Sequence, residues 1–182
     1  VADVDVDWRE VYDWAGLQVR QLITMRYDPA ETVLLDVGAG QGKYARLLPE
    51  YRDFDAIEVW EPSVNRYALR DIYRMVHVAD VSDMVRRPSW TQLYQVGILG
   101  DVLEHLEAEE AGYALRCLAA RCASLLVVVP YLYPQGAEDG NEHQRHLQDD
   151  LTPEVMAVRY PDLKLIALET RDGRPFKGLY RG

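Results

Sequence analysis

Cysteine is nearly missing from this chain. The only two, Cys117 and Cys122, stand five apart with no C-x-x-C and no histidine at a matching spacing. A disulfide framework or zinc knuckle has little to build on, and two small residues packing in a helix is the plainer reading. Lysine is almost as scarce, since 17 of the 20 basic residues are arginines, and 30 acidic residues bring the net charge to −10. That sign disfavours non-specific wrapping of nucleic acid and leaves room only for a local basic patch. No apolar run approaches the roughly 20 residues of a membrane span. The first thirty residues carry Asp3, Asp5, Asp7 and Glu10 and have no basic stretch leading into an apolar one. No secretory signal is expected there, so the cytoplasm is the default. Repeats and low-complexity tracts are missing as well.

What is present is the material of one domain. A length of 182 residues with 48% hydrophobic content supports a single core. Apolar residues at helical intervals predict a helix over 8–26, ended by Asp28-Pro29. Short β-rich runs then alternate with helical segments. Strands are expected at 33–37, 54–60, 75–79, 95–99 and 124–129, with helices at 62–74, after Asp80, and at 107–121. Thr152-Pro153-Glu154 opens a last helix with Thr152 as N-cap. Strands at 163–169 and 176–180, joined around Asp172-Gly173, must pair antiparallel. The expected fold class is α/β: a doubly wound, mainly parallel seven-stranded sheet with an antiparallel last strand. Residues 1–28 are expected to form an N-terminal helix or lid, and the polar segment 131–150 a lid or substrate loop.

In such sheets ligands bind at the carboxyl ends of the strands. Acidic residues stand at four of those ends: Asp36, Glu58 or Glu61, Asp80 and Asp101. After the first strand, Asp36-Val-Gly38-Ala39-Gly40-Gln-Gly42 alternates glycine with other residues before a helical segment. Side chains at the three glycines are expected to block a ligand hugging the backbone. The spacing is not the G-x-G-x-x-G of dinucleotide sites, and no phosphate-binding P-loop occurs. Asp36 would repel a phosphate and attract an ammonium. A ligand that is part nucleoside and part amino acid fits both facts.

The D-x-G-x-G-x-G segment resembles motif I of the class I S-adenosylmethionine-dependent methyltransferases. Asp101-Val-Leu-Glu104-His105-Leu106 resembles the D-x-L-E-H-L segment of small bacterial members, and Gly140-Asn141 through His146 is similar to a stretch they carry before a Thr-Pro-Glu helix. The resemblance covers about residues 30–170. It implies S-adenosylmethionine as cofactor, with S-adenosylhomocysteine as product. Asp36, Gly38, Ala39 and Gly40 would hold the donor. Glu58 would accept the ribose hydroxyls with Val59 beside it, and Glu61 competes for that place. Asp80 would meet the adenine amino group, or merely cap the next helix, and Val81 would cover the purine. Asp101 would lie where donor and acceptor meet.

His105, His143 and His146 become the catalytic candidates with Asp101, His105 having a type pKa suited to a general base. His143 and His146 lack a clear third ligand, so no metal is expected. Tyr12, Trp14, Tyr44, Tyr131 and Tyr133 are candidates for a pocket roof or for plain packing. The [DNS]-P-P-[YFW] motif of base-amino DNA methyltransferases and the Pro-Cys of the cytosine carbon-5 enzymes have no match here. Nor is the acid pair of catechol-type enzymes evident. A small-molecule acceptor methylated on oxygen or nitrogen is therefore favoured. A protein or nucleic-acid acceptor, or a non-catalytic donor-binding module, stays open, as does the oligomeric state.

Overall fold

Leu34 and Leu35 are neighbours in sequence and belong to opposite cores. This is the strand period of two at work. A computed structural model describes residues 4–138 and 140–182, so the first three residues of the expected lid and Asp139 of the polar segment lie outside the described residues. Among the described residues, seven strands form one sheet in the order β3-β2-β1-β4-β5-β7-β6. They are β1 (Leu34–Val37), β2 (Phe54–Glu58), β3 (Met75–Val78), β4 (Tyr94–Gly100), β5 (Cys122–Pro130), β6 (Lys164–Arg171) and β7 (Arg174–Arg181). The first five run parallel, and β7 pairs antiparallel with both β5 and β6. The expected fold class is the one observed.

Helices cover both faces. Leu34, Phe54, Ala56, Val96 and Ile98 pack against α1 (Trp8–Val11), α2 (Trp14–Thr24), α3 (Lys43–Leu47), α4 (Glu61–Arg66) and α5 (Leu69–Ile72). Leu35, Val37, Ile57, Leu99 and Val127 pack against α6 (Val81–Met84), α7 (Ala108–Ala119) and α8 (Pro153–Arg159). The unbroken apolar run in β5 follows from burial on both faces.

Two long expected helices are each broken in two. Asp13 ends the first: its carboxylate accepts from the Gly16 N–H at 2.7 Å and restarts the chain as α2. The second breaks at Ala68, whose φ of 50° is left-handed and cannot continue a right-handed helix. Thr152 caps α8 as expected, accepting from the Val155 N–H at 3.1 Å. Cys117 and Cys122 are both free thiols.

Strand order reverses between β1, whose chain continues to β2, and β4, whose chain continues to β5. The carboxyl ends of these two strands flank the crevice where such sheets take ligands.

Candidate active site

After β1 the chain turns through Gly38, Ala39, Gly40 and Gln41, and α3 follows. The three glycines have φ of 71°, 53° and 78°, left-handed values that cost other residues about 1–2 kcal/mol. Their surroundings differ. A Cβ on Gly40 would meet only the Gly38 carbonyl oxygen, at 3.9 Å, and would otherwise stand in open space. On Gly38 it would lie 2.6 Å from Val102 Cγ2, and on Gly42 2.5 Å from Ile72 Cδ1. Gly38 and Gly40 line the cavity, and Gly42 does not. Gly40 keeps the space open, whereas Gly38 and Gly42 admit neighbouring side chains.

Glu58 closes β2 and reaches back to this turn. Its Oε2 accepts from the Gly40 N–H at 2.7 Å and its Oε1 from the Trp60 N–H at 2.8 Å. Burial pushes its carboxyl above the ordinary range, opposed by those backbone donors. A carboxylate oxygen has capacity for more than one hydrogen bond, so Glu58 retains acceptors for a ligand. Glu61 is exposed in the first turn of α4 and does not reach the cavity wall. Asp80 does both things considered for it: it caps α6, accepting from the Ser82 N–H at 2.7 Å, and it lines the cavity beside Val81.

Asp36 behaves otherwise. It is buried beneath the glycine turn and is not on the cavity wall. Its Oδ2 accepts from Tyr73 Oη at 2.5 Å, and its Oδ1 has no partner among the described residues. Burial pushes its pKa to about 7, with the Tyr73 hydrogen bond pulling the other way. This placement sets Asp36 apart from the wall residues expected to meet the donor. Glu10, from α1, does reach the cavity, and its helix is tied to the glycine turn through Gln41, which donates to Glu10 Oε2 at 2.6 Å.

On the other side of the cavity, Asp101 takes a left-handed φ of 56° after β4. Its Oδ2 accepts from Lys177 Nζ at 2.9 Å, and Lys177 also stands 3.6 Å from Asp13. Burial alone would depress the Lys177 pKa, but Asp101, Asp13 and Glu104 outweigh it and hold the ammonium on. Glu104 is 1% exposed, and neither of its carboxyl oxygens has a partner among the described residues. Burial, with Asp101 beside it, raises its pKa well above the carboxylate range.

The histidines separate. His105 Nδ1 lies 3.2 Å from the Arg145 carbonyl, and His146 Nδ1 lies 2.5 Å from the Tyr133 carbonyl. A carbonyl only accepts, so each Nδ1 carries a proton, and in the neutral form of such a ring the lone pair lies on Nε2. The two rings are 4.7 Å apart. Burial lowers the His105 pKa, which favours that neutral form. His143 does not pair with His146. A 3-10 turn (Glu142–Gln144), capped by Asn141, directs it to Trp60 at 6.3 Å between ring centroids, on the Glu58 side.

Gly38, Ala39, Gly40, Glu58, Val59, Asp80, Val81, Asp101, His105, His143 and His146 all line one cavity of about 480 Å³. Of the aromatic candidates, Tyr44 and Tyr133 line it. Tyr131 is buried against Tyr180, Trp14 packs into the core, and Tyr12 is exposed on Trp8.

Two positions that hold the cavity's surroundings together escaped the sequence. Lys177 is carried in by β7, and Gln148 anchors the polar segment. Gln148 donates to the Leu103 and Leu106 carbonyls at 2.7 and 3.0 Å, and accepts from Arg159 and Tyr160, both at 2.8 Å. The one available signal for Lys177 was that lysine is rare here.

No protein-family model and no curated protein matches the sequence. Solved structures do match the fold. An S-adenosylmethionine-dependent methyltransferase from Clostridium acetobutylicum superposes with a TM-score of 0.68 at 9% identity, over 97% of this chain and 92% of that one. The fold is a methyltransferase fold. Magnesium protoporphyrin IX methyltransferase from Synechocystis, solved with S-adenosylmethionine bound, shares it with a TM-score of 0.63 at 13% identity, over 96% of this chain and 88% of that one. So does the N-terminal domain of EvdMO1, solved with S-adenosylhomocysteine and D-fucose, with a TM-score of 0.65 at 14% identity, covering 94% and 83%. At these identities the methyltransferase fold is what is shared.

Proposed function

We propose that this chain is a single-domain class I methyltransferase that uses S-adenosylmethionine to methylate oxygen or nitrogen on a small-molecule acceptor. The observation that carries the reading is the pairing of Glu58 with the open side of Gly40 on one cavity wall. A carboxylate with spare lone pairs suits two ribose hydroxyls, and the space over Gly40 suits a ligand lying against the backbone. Ala39, Val59, Asp80 and Val81 extend that wall for the nucleoside.

S-adenosylmethionine, when bound, supplies a methyl group made electrophilic by its sulfonium. The chain's task is then to align an acceptor with it, which provides much of the acceleration. Asp101, His105 and His146 face the acceptor side with Tyr133 and Phe176, while His143 stands nearer the donor. Two unpaired cysteines agree with a cytoplasmic setting. No helix among the described residues is long and apolar enough to cross a membrane.

Calorimetry with S-adenosylmethionine and S-adenosylhomocysteine tests the reading. Micromolar-scale binding is expected, about −8 kcal/mol. Glu58→Gln should weaken it by about 1.5–3 kcal/mol while Glu61→Ala leaves it unchanged. Folded protein giving neither heat nor a thermal shift with either ligand would remove the assignment.

A further inference from the structure

A metal at His143 and His146 lacked a third ligand in the sequence, and the fold replaces that pair with another set. Glu104, His105 and His146 each present a candidate ligand atom, and the three atoms lie within 4.8 Å of one another. Glu104 is the telling member. The residue is 1% exposed, with both carboxyl oxygens unpartnered among the described residues, although the cluster borders the cavity. A buried carboxyl group with no hydrogen-bond partner carries a desolvation cost that a ligand on its oxygens would offset. The histidines are already arranged as ligands: each Nδ1–H is held by a backbone carbonyl, Arg145 for His105 and Tyr133 for His146, leaving Nε2 basic. That outer support is how metal-binding imidazoles are oriented.

We propose that Glu104, His105 and His146 form a binding site for a divalent transition metal ion, with zinc as the best-matched ion. Two imidazoles and one carboxylate suit zinc and its first-row neighbours better than magnesium or calcium. Zinc–ligand bonds of about 2.0–2.2 Å put its ligand atoms roughly 3.4 Å apart, so a small inward rotation of the side chains closes the set. Acidic charge surrounds the place. Asp101 lies beside Glu104, and Lys177 is shared between Asp101 and Asp13. Three protein ligands would leave a coordination position open to the cavity, which His105 and His146 line together with Tyr133 and Phe176.

The ion's role rests on the methyltransferase reading, whereas its binding does not. In that role the open position takes an oxygen of the acceptor, and the imidazoles act as ligands rather than as bases.

The test is zinc titration of the chelator-treated full chain, followed by calorimetry, with cobalt absorption spectra reporting the ligand field. One equivalent should bind with a dissociation constant of about 1 µM or tighter. His146→Ala and Glu104→Gln should each weaken it by about 100-fold, with folding checked by circular dichroism. A His77→Ala variant should bind as the parent does. Absence of stoichiometric zinc binding, or parental affinity in His146→Ala, overturns the proposal. Donor binding is measured separately on the metal-free chain, so a failed donor assignment and a failed metal site give different results.

Discussion

Gly40 and Gly42 are two residues apart, share a left-handed backbone, and answer to different neighbours. Gly40→Ala places a methyl group in the cavity and should lower affinity for S-adenosylmethionine by about tenfold or more, roughly 1.4 kcal/mol. Gly42→Ala drives a methyl group against Ile72 and Leu69, on top of the left-handed strain that both variants share, and should lower the melting temperature further than Gly40→Ala does. Ligand calorimetry and thermal melts on both variants separate the two effects, and equal profiles would merge the roles assigned here. His105→Ala should reduce turnover with donor affinity nearly unchanged, because its ring faces the acceptor side. A comparable loss in donor affinity would place His105 on the wrong wall.

Among elements, the polar segment over residues 131–150 owes its placement to a few fixed points. The Glu104 carbonyl accepts from the Leu147 and Gln148 N–H groups, and the Gln148 side chain fills the space under α8. Gln148→Ala leaves two carbonyls and the Tyr160 hydroxyl without their partner and should cost about 2–3 kcal/mol in urea unfolding. A loss below about 0.5 kcal/mol would show water replacing the amide. Strands and their terminal acids were legible in the sequence because both are local patterns: short β-rich runs, four of them with an acid at or just after the carboxyl end. The helix breaks at Asp13 and Ala68 were not, since apolar spacing runs on through both. Nor was the meeting of His105 with His146. It depends on where 3-10 turns and backbone carbonyls stand across 40 residues of chain.

For the whole molecule, the buried acids set a pH dependence of stability. The Asp36 pKa rises from 3.8 to about 7 on folding. A carboxyl with a raised folded pKa binds more protons in the native state between those values. Its contribution is therefore full below about pH 4, falls as pH rises towards 7, and stays low above that. Asp36→Asn keeps an acceptor for Tyr73 and removes this slope. Relative to the parent, it should gain stability across the window, by up to about 4 kcal/mol. Unfolding measured at pH 5, 6, 7 and 8 checks it. A constant difference between the two proteins over that range would mean that Asp36 does not titrate there.

The placement of β7 between β5 and β6 has a consequence in time. Asp13, Asp101 and Glu104 all precede it in the chain, and the cation they share, Lys177, arrives with it. During synthesis the acidic wall thus remains without that counter-charge until residues 174–181 have left the ribosome and threaded between two strands already made. The counter-charge of this wall is thus among the last parts of the cavity to be synthesised, long after the glycine turn and Glu58 on the opposite wall.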